Sequence, residues 1–193
     1  MLRITTVFTR CLALLSVLAA AGCASLPGQP VDDAVLEFEL QGRIALRYGK
    51  EGGNARVVWR HAVNADDLLV TNPLGQGIAR ISRQGNDVQL VTADSKEYQA
   101  RDAEKLTESV LGWRLPLAGL PDWVRGRAAA SRPSQVRRDA DGRVSRIEQD
   151  AWRIDYLAWE GKLPSRVTLV YEGSGADSSV EIRLIVDQWQ ALP

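Results

Sequence analysis

From Leu36 onward the chain alternates apolar and polar residues with a period of two. This pattern constrains the fold more than any other feature. Leu36, Phe38, Leu40, Gly42, Ile44, Leu46 and Tyr48 fall on one face, and Glu37, Glu39, Gln41, Arg43 and Arg47 on the other. Such a run is a long antiparallel strand with one wet side. Gly42 inside it marks a bend or bulge of the kind curved sheets need. After a turn at Gly49–Asn54 the alternation resumes with Ala55, Val57 and Trp59, and again at Leu68–Val70, Ile78–Ser82, Val88–Thr92 and Glu97–Ala100.

The period then changes. Asp102 can cap a helix whose apolar positions are Ala103, Leu106 and Val110, with Gly112 as its stop. Pro116, Gly119 and Pro121 break the next stretch, and a second short helix is expected over Leu120–Arg125. This block carries more apolar residues (Leu111, Trp113, Leu115, Leu117, Leu120, Trp123) than two short helices need for themselves. Ala128–Arg138 reads as irregular and basic. The Asp141-Gly142 hairpin signal then opens a further series of strands: Val144–Gln149, Trp152–Leu157, Val167–Tyr171 and Val180–Asp187. There is no strand–helix–strand alternation, so the fold class is α+β, mainly antiparallel β, with about ten short strands and two helices in the middle.

The loop between the third and fourth runs is Thr71-Asn72-Pro73-Leu74-Gly75-Gln76-Gly77. Its residue order is that of a type I turn, with Asn first, Pro second and Gly fourth. That leaves Leu74 at the tip, where small or polar residues serve better. Leu74 folds back onto the core, is one of the many harmless surface leucines, or stays exposed for a purpose.

Residues 1–22 are a processing segment, with Arg3 and Arg10 in a basic region and Cys11–Ala21 an apolar stretch too short to span a bilayer. It ends in Ala20-Ala21-Gly22-Cys23, which resembles a lipoprotein cleavage site. Cys23 is the lipid-attachment candidate, and residues 23–34, with two prolines and two aspartates, read as a tether to a single domain over 35–193. Cys11 leaves with the leader, so the domain holds no free thiol or disulfide and depends on its core alone. The leader also takes two of the 24 basic residues, leaving 22 against 24 acidic. A pI of 6.6 argues against a nucleic acid or an anionic surface as the main partner.

No catalytic chemistry stands out. His61 is the only histidine and reads as a surface or turn residue; no second His or Cys is near enough in sequence to make a metal site. Asp66 and Asp67 point to opposite faces if extended, so they make poor acid–base partners. No nucleophile elbow or phosphate loop is present. The chain is read as a non-enzyme without metal or cofactor.

The ordered set of features resembles one family. It runs from the cleavage site through Leu40-Gln41-Gly42-Arg43-Ile44-Ala45, Trp59 and Asn72-Pro73-Leu74-Gly75. It continues through Asp102-Ala103-Glu104, Leu111-Gly112, Leu115-Pro116-Leu117 and Trp123, and closes with Asp141-Gly142-Arg143, Trp152, Tyr156, Leu163-Pro164, Ile182-Arg183-Leu184, Asp187 and Trp189. Over the whole mature chain this resembles the LolB family of outer-membrane lipoprotein receptors. The resemblance implies an incomplete, strongly curved β-barrel of ten or eleven strands, with short helices over its open side and an apolar cavity between. It implies a monomer anchored in the outer membrane of a Gram-negative bacterium and facing the periplasm. Such a protein takes the acyl chains of client lipoproteins from the periplasmic carrier LolA and inserts the clients into that membrane. By the same resemblance Pro73, Leu74 and Gly75 form the membrane-insertion loop. Leu40, Ile44, Trp59, Leu106, Val110, Leu117 and Trp123 are, by face, candidates for the cavity wall. The rival reading is a structural outer-membrane lipoprotein that docks an assembly machine through its sheet and needs no cavity.

Overall fold

The computed structural model describes residues 36–130, 132–171 and 179–191. The leader, Cys23 and the tether lie outside them. Eleven strands form one antiparallel sheet: β1 (Leu36–Tyr48), β2 (Glu51–Ala62), β3 (Ala65–Thr71), β4 (Gly77–Gln84), β5 (Asp87–Thr92), β6 (Glu97–Ala100), β7 (Ser134–Arg138), β8 (Val144–Gln149), β9 (Trp152–Glu160), β10 (Leu163–Tyr171) and β11 (Val180–Ala191). Two helices, α1 (Ala103–Leu111) and α2 (Leu120–Trp123), lie between β6 and β7.

The strand order is β6-β5-β4-β3-β2-β1-β11-β10-β9-β8-β7. The first and last strands therefore pair in the middle. Each half meanders outward from that seam to a free edge, and the sheet does not close into a barrel. The segment 101–133 must cross from the edge β6 to the edge β7, so the helices end up over the open side. Antiparallel neighbours are joined by tight turns such as Gly85-Asn86, with Gly85 at φ 59, and Gly161-Lys162, with Gly161 at φ 59. Both edges are blunted. β6 has four residues, and β7 is exposed throughout and carries Arg137 and Arg138, which discourages pairing with another chain.

The alternation in β1 becomes burial: Leu36, Phe38 and Leu40 are buried, while Gln41, Arg43 and Arg47 are exposed. The outer face is closed by ion pairs, including Arg43 with Asp187 and Arg80 with Asp67. The inner face joins residues of both halves and both helices in one apolar cluster. Helix α1 begins at the expected cap, where Asp102 accepts a hydrogen bond from the Lys105 amide, and ends at Gly112 in the left-handed region.

Three readings need correction. The turn after β1 is only Gly49-Lys50, because β2 already pairs at Glu51 and its first exposed residues extend beyond the core. Ala128–Arg138 is not irregular throughout, since Ser134–Arg138 pairs with β8 as an edge strand whose exposure hides the alternation. α2 ends at Trp123 rather than at Arg125, and Gly126 turns the chain away at φ 77.

Gly42 does mark an irregularity. Gln41 pairs with Gln188 and Gly42 with Val186, so Asp187 bulges from β11. A Cβ on Gly42 would lie 2.6 Å from the Ile185 carbonyl oxygen. Propensity alone says that Gly42→Ala stabilises a strand by about 0.5–1 kcal/mol. The contact predicts the opposite sign, a loss of about 2 kcal/mol from overpacking at the seam. Urea unfolding of the two proteins decides; an alanine variant as stable as the parent would show that the two backbones are not held this close.

Candidate functional site

Between the inner face of the sheet and the helical segment lies a cavity of about 250 Å³. The sheet contributes Leu40, Ile44 and Leu46 from β1, Ala55, Val57 and Trp59 from β2, Leu68 and Val70 from β3, Ile78, Ala79 and Ile81 from β4, Leu169 from β10, and Ile182 and Leu184 from β11. Leu111, Trp113, Leu115, Leu120 and Val124 form the roof. Asn54 is the one polar side chain in the lining, and it sits with Gly53 at the exposed rim. A wall of this composition offers an acyl chain dispersion and burial but no charge or directed hydrogen bond.

The apolar wall depends on a polar network behind it. Trp59 Nε1 donates to Asp66 Oδ1 at 2.9 Å, so the indole shows the cavity only hydrocarbon. Asp66 is 1% exposed and also receives Arg83 Nε at 2.6 Å, with His61 Nδ1 at 2.7 Å. His61 is therefore buried, not the surface residue its isolation in the sequence suggested. Its other nitrogen faces Glu37 at 3.8 Å, and Glu37 accepts a 2.8 Å bond from Arg125 Nη1. The Arg125 guanidinium also lies over the Phe38 ring at 5.2 Å, which pins the end of the roof to β1.

On the other half of the sheet, two side chains hold the roof. Gln149 Oε1 accepts from Trp123 Nε1 and from the Ala129 amide, both at 2.8 Å, and its Nε2 donates to the Ala129 and Arg132 carbonyls. Tyr156 donates its hydroxyl to the Trp123 carbonyl at 2.7 Å. Burial pushes the Tyr156 phenol up from its ordinary value.

Of the seven wall candidates, Leu40, Ile44 and Trp59 line the cavity. Leu106, Val110, Leu117 and Trp123 do not, and those four are corrected. Helix α1 packs on β5 and β6, so Leu106 and Val110 go to the sheet edge and not to the space over β1 and β2. Leu117 is buried in the core, and Trp123 is 0% exposed with its ring against Trp152. The lining residues that were missed in β1 to β4 share the inward parity of Leu40 and Trp59, apart from Asn54 at the rim and Ile78. Arg125 and Gln149 carried no sequence signal of their own.

Leu74 is 87% exposed. Its loop is a type I turn: the Gly75 amide donates to the Asn72 carbonyl at 2.9 Å, Asn72 Oδ1 accepts from the Leu74 and Gln76 amides, and Gly75 has φ 86. Pro73 occupies the second position and is exposed. Two other loops repeat this backbone geometry. In Thr92–Lys96 the Ser95 amide donates to Thr92 and Ser95 has φ 61; in Asp139–Arg143 the Gly142 amide donates to Asp139 and Gly142 has φ 79. The tip position that holds Leu74 here holds Asp94 and Asp141 there. The turn does not call for leucine.

The register places this loop at the mouth. β1 ends, β2 begins, β3 ends and β4 begins at one end of the sheet, so the cavity rim at Gly53, Asn54, Val70 and Ile78 shares that end with Leu74. Leu36, where the described chain begins, is at the opposite end, paired with Ala62. Among the described residues no cluster of three or more His, Cys, Asp or Glu could hold a metal, and no helix is long and apolar enough to cross a membrane.

Residues 36–189 match the family model described as outer membrane lipoprotein LolB. A protein of Thiobacillus denitrificans named outer-membrane lipoprotein LolB is 37% identical over 95% of this chain and 100% of its own length. Proteins of the same name from Azoarcus sp. and Dechloromonas aromatica are 37% and 32% identical, over 95% and 93% of this chain and 97% and 96% of their own lengths. The crystal structure of a LolA superfamily protein from Nitrosomonas europaea superposes with a TM-score of 0.49 at 13% identity, covering 81% of this chain and 88% of that one.

Two substitutions test the supports of the site. Asp66→Ala strands Trp59 Nε1, His61 and Arg83 together, and should cost about 3 kcal/mol in chemical unfolding; a loss below about 1 kcal/mol would mean that the network is not holding the wall. Tyr156→Phe should cost about 1 kcal/mol at neutral pH. Because the folded phenol keeps its proton longer than the unfolded one, the Tyr156 contribution is complete below about pH 10 and is lost as pH rises towards the folded value. The phenylalanine variant should therefore lose less stability than the parent on alkaline titration.

Proposed function

This chain belongs to the LolB family of outer-membrane lipoproteins, and from that premise we propose that its cavity receives the acyl chains of client lipoproteins and that the Leu74 loop delivers them to the bilayer. It is an outer-membrane lipoprotein of the lipoprotein-localisation route in a Gram-negative envelope. The finer reading has Cys23 carrying its own lipid anchor, LolA as the carrier that hands over the client, and a single copy at work. The observation that carries the reading is an apolar cavity whose rim lies at the same end of the sheet as an exposed leucine.

The energetics support a handover between cavities. A triacylated client has on the order of 45 methylenes to hide, at about 0.8 kcal/mol each, or roughly 35 kcal/mol in total. Passing from one apolar cavity to another exposes little of this, so only the difference in affinity sets the direction. The bilayer is the deepest sink. A leucine entering its acyl boundary gains about 2 kcal/mol. That is enough to hold the mouth at the membrane briefly and too little to anchor it.

A working monomer is supported by the outer face and the edges. Charged pairs lie on the outer face, and the edge strands carry Glu97, Arg137 and Arg138. A docking scaffold would have no use for the cavity.

Leu74→Glu should leave folding intact, because the side chain is 87% exposed and two loops of the same backbone geometry hold an aspartate at this position. Uptake of client from loaded carrier should remain within about twofold, while delivery to liposomes falls by about tenfold or more, the effect of roughly 1.4 kcal/mol on a barrier. Delivery at the parent rate would remove Leu74 from the mechanism.

A further inference from the structure

The strand that leaves the Leu74 loop contains a second irregularity. β3 and β4 pair Val70 with Ala79 but Thr71 with Gly77, so Ile78 has no partner across the ladder. In a regular strand Ile78 and Ala79 would face opposite sides of the sheet. The bulge turns Ile78 inward, and both residues line the cavity. They differ in depth: Ala79 is 3% exposed and Ile78 is 42%. Ile78 thus touches the cavity on one side and water on the other, three residues after Gly75. The bulge does not require an apolar residue. After the loop capped by Asp139 the same unpaired position in β8, three residues after Gly142, holds Ser145.

We propose that Ile78 is the sill of the cavity, the side chain over which an acyl chain passes between the cavity and a bilayer engaged by the Leu74 loop. Val70, Ile78 and Leu74 then form one apolar path from wall to tip, so a chain leaving the cavity need not cross water. Ile78 acts on passage, not on depth of binding. The deep wall of Leu40, Trp59 and Leu169 sets the affinity. This inference rests on the acyl-binding reading above.

A sill and a wall residue differ in kinetics. Lowering a well speeds dissociation and weakens Kd. Raising a barrier slows entry and exit together and leaves their ratio in place. The test uses the full chain carrying Cys23→Ala, so that no lipid of its own competes, with a fluorescent long-chain fatty acid as probe and phosphatidylethanolamine/phosphatidylglycerol vesicles as acceptor. Ile78→Asp should slow both uptake of the probe and its release to vesicles by about tenfold, with Kd changed less than about threefold. Ile78→Val should restore both rates, and partition of the protein itself onto vesicles should stay at the parent level because Leu74 is intact. Leu40→Ala serves as the wall control, with faster release and a weaker Kd. Unchanged rates for Ile78→Asp, or faster release with a weaker Kd, would overturn the sill alone. A parent chain that takes up no probe would overturn the acyl-binding reading and the sill with it.

Discussion

The pairing of β1 with β11 is the contact on which the rest of the architecture depends. It places the beginning and the end of the folded chain side by side in the centre of the sheet. Everything else then meanders outward, and the two last strands to be reached, β6 and β7, become edges. A sheet built this way has no closing strand pair. The one long connection must go over the opening, and the segment that makes the trip becomes a roof. The close approach of Gly42 to the Ile185 carbonyl allows the seam to bend without losing its ladder.

The space under the roof stays open for a reason that can be stated in terms of neighbours. Large side chains that could have filled it are engaged elsewhere. Trp123 is tied to Gln149 and packed on Trp152, Trp59 is turned by Asp66, and Phe38 is boxed between Trp59, His61 and Trp189. Each indole is held by a hydrogen bond that would be lost if it swung inward, and that loss is the larger in a low-dielectric interior. Polar bonds behind the wall thereby keep the front of the wall apolar.

Most of the sheet could be read from alternation, since residues buried on one face must recur every second position. β1 was delimited at both ends, and Asp102 and Gly112 bounded α1 because caps are local chemistry. The edge strand β7 escaped because an exposed strand buries nothing and leaves no alternation to read. For the cavity wall, parity found Leu40, Ile44 and Trp59. It failed for Leu106 and Val110, because the face of a helix says that it packs but not against which strand. Ile78 escaped for a third reason: a bulge breaks the parity on which the reading depends. His61 and Asp66 are partners only across a ladder, so neither signals the other along the sequence.

The ends of the described chain, Leu36 and Ala191, lie at the end of the sheet opposite the Leu74 loop, and this would shape how an anchored molecule can search. From Cys23 to Leu36 the chain has 13 residue steps, a reach of about 45 Å when extended. The seven residues of β3 span about 23 Å of the distance between the ends. A lipid on Cys23 would therefore act as a leash long enough for the body to turn over and present either end to its own membrane. On the proposed reading, one posture would turn the mouth outward towards incoming cargo and the other would rest it on the lipid. Confinement within that radius would raise the effective concentration of mouth at membrane without any added contact, so alternation between receiving and unloading would need no change of fold, only a rotation.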